Sequence, residues 1–358
     1  MVLGSWFSRQ SAPMLGLDVS AGGARLVELS QDRAGHLVLE RCGMEPLERD
    51  WIIDGNIEKF DEVVDATRRL IRRTGTRASS VAMALPASEV ISKRVILPAG
   101  LSEREMEFQV EAEASQYLSF PPDDVSLDFC VIGPSRTSPG DVEVLIAASR
   151  KEKVEDRQGL AEAVGLTPAI LDVDSYASRL AVARLIERLP GSADGALVAL
   201  VELGLTTSNL QVSRNDDLLF ERDFPFGTGQ LTQMLADHYG LSFEQARARR
   251  RADELPQDHV ETVLLPYMDD LASQIERALR FFFTSTSYQR VDRIMLAGEV
   301  VGLDGLAELV TQRNGMPCEI ANPFEGMQMG RHLRHQQALH EAPAYLAACG
   351  LALRRFVR

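Results

Sequence analysis

Two short runs in this 358-residue chain set a carboxylate at the end of an apolar strand and follow it with small or hydroxylated residues. In the first, LGLDVSAGGARLVEL, Asp18 precedes Ser20 and a turn at Ala21 to Gly23 that includes Gly22. In the second, ALVELGLTTSNLQV, Glu202 precedes Gly204, Thr206 and Thr207. One hairpin is written twice. Small residues at such turns let backbone N–H groups come close to an anion. Facing each other, the two turns would pinch a phosphate chain, and Asp18 and Glu202 would hold Mg2+ through the waters that this hard cation keeps. A third glycine, Gly298, ends the run IMLAG just before a helix and would approach an adenine or ribose. The competing reading makes all of these plain turn glycines.

The elements that must position these groups follow an alternating strand and helix order, which predicts an α/β fold. Residues from Met14 read as three short strands. A helical period from Glu58 to Arg73 places Phe60, Val63, Val64, Thr67, Leu70 and Ile71 on one face, and Ser80 to Leu85 is a buried strand. Glu89 to Leu97 is a strand, Ser102 with Glu105 forms a capping box for a helix running towards Leu118, and Ser126–Ile132 and Val142–Ala148 are strands. Ser149 with Glu152 reads as a second capping box. A break at Leu189 to Asp194 is the expected boundary between halves. Beyond it lie three strands in Ala196 to Phe224 and a turn at Gly227 to Gly229. A helix capped by Ser242 and Gln245 follows, then a long amphipathic helix opened by Pro256 and carrying Val260, Leu264, Tyr267, Leu271, Ile275, Ala278 and Phe282.

Composition narrows the function classes. Acidic residues outnumber basic ones by 52 to 38, a net charge of -14 that repels nucleic-acid backbones. Four scattered cysteines form no zinc or redox spacing and imply a reducing compartment. No apolar run approaches the roughly 18 to 20 residues of a spanning helix, and Met1 to Gln10 lacks the pattern of a cleaved signal. His332, His335 and His340 read as a polar surface loop, Arg247 to Arg251 as a solvated helix end, and Phe281 to Phe283 as core. A helix N-terminus accounts for Ser175 and Tyr176 beside Asp172 and Asp174.

The order of hairpin, helix, insertion, second hairpin, helical lobe and strand-Gly-helix resembles the actin-like ATPase superfamily, which includes FtsA. The segments LSEREMEFQVEAEASQYLSFPPDDVSLDF, LTPAILDVDSYASRLA, FGTGQLTQMLADHYGLSFEQA, RFFFTSTSYQRVDRIMLAG and ANPFEGM are similar to the PilM family of type IV pilus assembly proteins. The resemblance spans nearly the whole chain from Met14. It implies a two-lobed actin-like fold with an FtsA-type inserted subdomain: an N-terminal segment at 1–13, a first lobe at 14–86, the insertion at 87–150, the first lobe again at 151–194, a second lobe at 195–342 with a helical part at 227–289, and a helix at 343–358 returning to the first lobe. It implies a cytoplasmic scaffold at the inner membrane that binds the N-terminal cytoplasmic tail of the membrane protein PilN and works beside other pilus assembly proteins.

By the same resemblance Asp18, Ser20 and Gly22 match a first phosphate loop, Glu202, Gly204, Thr206 and Thr207 a second, and Gly298 an adenosine motif. Three positions depart from the family pattern: Glu202 stands for Asp, Glu299 for a second Gly, and Arg247 for an acid that accepts from ribose. ATP with Mg2+ is therefore expected to bind weakly, with slow or absent hydrolysis. The alternatives are an active ATPase or sugar-kinase-like enzyme of this fold, for which no catalytic base is singled out, and a filament former. Glu113, Gln116 and Tyr117, at the end of the insertion helix, are the candidate contacts for the partner tail, core packing being the competing role for Tyr117.

Overall fold

The computed structural model describes residues 13–357 other than 119, 136, 189–194, 216, 301, 302, 332 and 334. The expected break at Leu189 to Asp194 and His332 therefore lie outside the described residues. The chain opens with β1 (Met14–Ser20), β2 (Gly23–Gln31) and β3 (Leu37–Glu45), an antiparallel meander. The short hairpin of β4 (Ile52–Ile53) and β5 (Asn56–Ile57) leads into α1 (Phe60–Thr74) and β6 (Ser80–Leu85). Asp61 and Glu62 in the first turn of α1 and Arg72 and Arg73 in its last complement the helix dipole. Val63, Val64, Thr67 and Leu70 face the sheet, whereas Phe60 at the helix start is exposed.

Next come β7 (Val90–Pro98), α2 (Glu103–Ala114), β8 (Val125–Pro134) and β9 (Asp141–Arg150), then α3 (Lys151–Ala163), β10 (Thr167–Val173) and α4 (Asp174–Ile186). The Ser102 and Glu105 capping box is formed in full, and α2 ends at Ala114. The second capping box is not: Ser149 continues β9, its hydroxyl donates to the Glu89 carbonyl at 2.8 Å, and Arg150 precedes α3 without a side-chain cap. Pairing of Ser149 with both Val90 and Ser126 holds it in the ladder.

The remaining elements are β11 (Leu197–Leu203), β12 (Ser208–Arg214), β13 (Asp217–Phe224), α5 (Thr228–Tyr239), α6 (Phe243–Arg251), α7 (Leu265–Ser285), β14 (Arg293–Gly298), α8 (Leu306–Asn314), β15 (Cys318–Ile320), β16 (Gln328–Met329), α9 (His335–His340) and α10 (Leu346–Leu353). The long helix expected from Pro256 begins as a π-helical turn at Val260–Leu264, with Val260 exposed. Of the three consecutive phenylalanines, Phe282 is fully buried, but Phe281 stays half exposed under the Arg222 guanidinium.

Three main sheets result. One has the order β10-β6-β1-β2-β3-β16, the second β13-β12-β11-β14-β15, and the third, small and antiparallel, β7-β9-β8. Strand β1 is parallel to β6 and β11 is parallel to β14, so both central strands are apolar on both faces. One core packs α1 and α3 on the first sheet, another packs α5, α6, α7 and α8 on the second. A further core lies between the two large sheets: Val27, Leu29 and Leu39 of the first, Val198, Leu200, Met295 and Ala297 of the second, and α4 and α10 between them. The third sheet and α2 share a small core of their own around Val110, Val144 and Ile146.

Candidate functional site

A cleft of about 440 Å³ opens between the two large sheets. The ends of β1 and β11 reach it together, since both are central parallel strands whose following turns come out on the same side. Asp18, Ser20 and Gly22 line it from one sheet, and Glu202, Gly204, Thr206, Thr207 and Gly298 from the other. The two hairpins thus face a common space. Asp174, at the junction of β10 and α4, also lines it, as do Arg25, Arg157, Gln211 and Glu299. In all, seven acidic residues and two arginines line the cleft among the described residues.

Withdrawal from water governs the three carboxylates deepest in this list. Burial pushes Asp174 up to about 8, and the nearby charges of Glu202 and Asp18 add to the effect, while backbone N–H groups of Ser175 and Ala87 oppose it. Burial likewise raises Glu202 to about 7, with the charge of Asp18 adding to it and Arg25 pulling the other way. Asp18 is also raised by burial, with Arg25 and Arg157 pulling the other way. Near neutral pH Asp174 therefore keeps most of its proton and Glu202 is divided between its two forms. A protonated carboxyl is a poor ligand for Mg2+, which must displace the proton to bind.

Glu299 behaves in the opposite way. Burial alone would raise it, but Arg25, the Thr228 hydroxyl, Arg250 and Arg247 outweigh that and hold it below its ordinary value. Arg25 sits on β2 directly across from Asp18, and its guanidinium donates to Ser20 Oγ at 3.0 Å, to Asp18 Oδ2 at 3.4 Å and to Glu299 Oε1 at 3.0 Å. The other Glu299 oxygen accepts from the Thr228 hydroxyl at 2.6 Å. Arg157 donates to the carbonyls of Val19 and Gly55 at 3.3 and 3.0 Å. Both lining arginines are thus committed to the chain itself. Gln211 is 2% exposed with neither polar side-chain atom partnered, so the free hydrogen-bonding capacity it adds is neutral. A polyphosphate needs unengaged cations or donors in the space it fills. As arranged here, neither lining arginine is left over for a polyphosphate, and the donors that remain are neutral.

Gly298 has φ +79 and lies against the Leu203 carbonyl, 2.2 Å from where a Cβ would be. This packing of β14 on β11 accounts for the glycine. Arg247, read from sequence as part of a solvated helix end, is 7% exposed and donates to the carbonyls of Leu47 at 2.5 Å and Gly22 at 3.2 Å. Arg250 donates to Thr228 O and Thr232 Oγ1. The loops after β1 and β3 supply partners that a view of α6 alone does not reveal. Glu113, Gln116 and Tyr117 line no part of the cleft. They lie at the end of α2, where Lys93 places its ammonium 4.2 Å from the Tyr117 ring and the Tyr117 hydroxyl has no partner. No group of three or more metal-ligating side chains is gathered in metal-binding geometry among the described residues.

Sequence reasoning missed Arg25 and Arg157, and assigned Asp174 to a helix N-terminus rather than to the cleft. Arg25 had a signal: seven residues after Asp18 across a two-residue turn is the cross-strand position. Asp174 had one too, as an acid at a strand-to-helix junction beside the first hairpin's sheet. Arg157 sits on α3 with nothing in its spacing to single it out.

Two domains of mixed sheet and helix around a central cleft, each begun by the same hairpin, define an actin-like ATPase fold. An ethanolamine utilization protein, EutJ of Carboxydothermus hydrogenoformans, shares that fold at 14% identity and a TM-score of 0.55, over 95% of this chain and 88% of its own. Within this class, the chain matches the type IV pilus assembly protein PilM family over residues 16–356 and belongs to it. The solved PilM-PilN type IV pilus biogenesis complex contains a chain 26% identical to this one, with a TM-score of 0.79 and coverage of 96% of this chain and 99% of that one.

Proposed function

We propose that this protein is a scaffold of the type IV pilus assembly machinery that binds the N-terminal cytoplasmic tail of the membrane protein PilN. The observation that carries the reading is the end-to-end likeness to the chain solved in the PilM-PilN complex, together with membership of the family. No helix among the described residues is long and apolar enough to cross a membrane. The protein works at the inner membrane from the cytoplasmic side, held there by its partner and in contact with other pilus assembly proteins. Residues 87–150 act as a subdomain that receives the tail. Strands β7 and β8 are the open edges of its sheet, β8 exposes Val131 and Ile132, and an extended tail adds to such an edge as a further strand. Glu113, Gln116 and Tyr117 are the first side chains to vary.

ATP with Mg2+ is at most a weak ligand of the cleft, and hydrolysis is slow or absent, because burial raises the carboxyls of Asp18, Asp174 and Glu202 and the lining arginines are engaged. Titration of the full chain with a synthetic PilN tail, with and without ATP and Mg2+, tests the reading. Saturable tail binding that nucleotide leaves unchanged is the expected result. No binding, or binding retained at full strength by a folded variant lacking residues 87–150, would overturn the scaffold role or its placement respectively.

A further inference from the structure

We propose that Glu299 is the resident anion of the cleft: its carboxylate occupies the seat that a phosphate or carboxylate group of a ligand would take, and clasps the two lobes together with no ligand bound. The inference rests on the reading of the cleft as a nucleotide site that its own side chains have weakened.

Donors reach Glu299 from both sides of the cleft. Arg25, on β2 of one sheet, holds Oε1 at 3.0 Å, and Thr228, the first residue of α5 beyond the other sheet, holds Oε2 at 2.6 Å. The seat is shaped as well as charged. A Cβ on Gly22 would lie 1.9 Å from Oε1, so the turn after β1 brings its bare backbone against an anion, and that anion is the chain's own. The Glu299 N–H donates to the Leu203 carbonyl at 2.8 Å, which fixes where the side chain starts. Arg247 and Arg250 both act on the same carboxylate electrostatically, making a strongly cationic niche inside an otherwise acidic cleft. Arg247 also ties α6 to the Gly22 and Leu47 carbonyls of the first lobe. Cations gathered from two elements, β2 and α6, around one partly buried carboxylate are the arrangement that binds a ligand's anionic group. An external anion can enter only by displacing Glu299.

Amide hydrogen exchange of residues 20–25 in the full chain tests the clasp. The wild-type turn should be protected without ligand and unchanged by ATP with Mg2+. Glu299→Gly should exchange there at least tenfold faster, regain protection with inorganic phosphate or acetate at millimolar concentration, and bind ATP at least tenfold more tightly than the wild type. Glu299→Gln keeps the shape and loses the charge, and should show a smaller acceleration. Exchange in Glu299→Gly equal to the wild type, or faster exchange that neither anion restores, would overturn the proposal. If Glu299→Gly does not fold, unchanged exchange in Glu299→Gln overturns it. Tail binding by the wild type is read separately: its loss removes the scaffold reading and leaves the clasp, whereas unchanged exchange removes the clasp and leaves the scaffold.

Discussion

The two hairpins share a plan and differ in what sits across from the carboxylate. On the first, register places Arg25 opposite Asp18 and joins the strands through Ala21 and Gly22 alone. On the second, Asn209 lies opposite Glu202, and a longer turn runs from Gly204 to Thr207. The first turn therefore presents a cation and bare backbone to the cleft, and Glu299 fills what it offers. The second turns inward: Thr228 and Gly229 at the start of α5 donate to the carbonyls of Gly204 and Leu205 at 3.0 and 2.7 Å. Its one glycine serves the turn itself, since a Cβ on Gly204 would sit 2.4 Å from the Thr207 carbonyl. A duplicated motif thus holds two different jobs, one electrostatic and one structural, and the identity of the cross-strand residue separates them.

The strongest way to break the contrast is Arg25→Met. It strands the Glu299 carboxylate without its closest cation, and leaving such a charge unpaired costs about 3–5 kcal/mol. Chemical denaturation should register that loss. Asn209→Arg, which gives the second hairpin the countercharge of the first, should lower the Glu202 pKa and leave stability at neutral pH within about 1 kcal/mol. A pair of alanines ranks second in size to Arg25→Met. Gly204→Ala meets rigid backbone and should destabilise by about 1–3 kcal/mol, the range for overpacking. Gly22→Ala meets the flexible end of Glu299, should cost less, and should be relieved by Glu299→Gly; equal costs for the two glycines would erase the distinction.

A further contrast is one of pH. Asp174 has an ordinary value of 3.8 and a folded value of about 8. Between these the folded state holds a proton that the unfolded state has released, so stability falls as pH rises through that window. Asp174→Asn removes the dependence. Its melting temperature relative to the wild type should climb by about 3 °C or more from pH 5 to pH 8, and a constant difference would show that the site is already ionised.

Much of this was written locally. The hairpins, α1 and α7 follow from apolar periodicity and turn residues, and the boxes before α2 and α6 from side chains three residues apart. Asp18 and Glu202 converge because each ends a central strand, which the repeated motif conveys. Ser149 was misread because its pattern satisfies a helix cap equally well, and the pairing of β9 on both sides decided the matter. Arg247 was misread for a different reason: its neighbours in sequence are charged, and the carbonyls that bury it come from more than 190 positions away. The clasp needed Arg25, Thr228 and Glu299 together, and no spacing links residues so far apart.

The core between the two large sheets fixes an order of events as well as a shape. Helix α10 is buried along its whole length against β1, β2 and α4 of the first lobe, yet it is translated after every strand of the second. While the ribosome is still making the second lobe, the first has α4 but lacks the helix that covers β1 and β2. Neither half reaches its final packing as a nascent chain, and the shared core couples the unfolding of one lobe to that of the other.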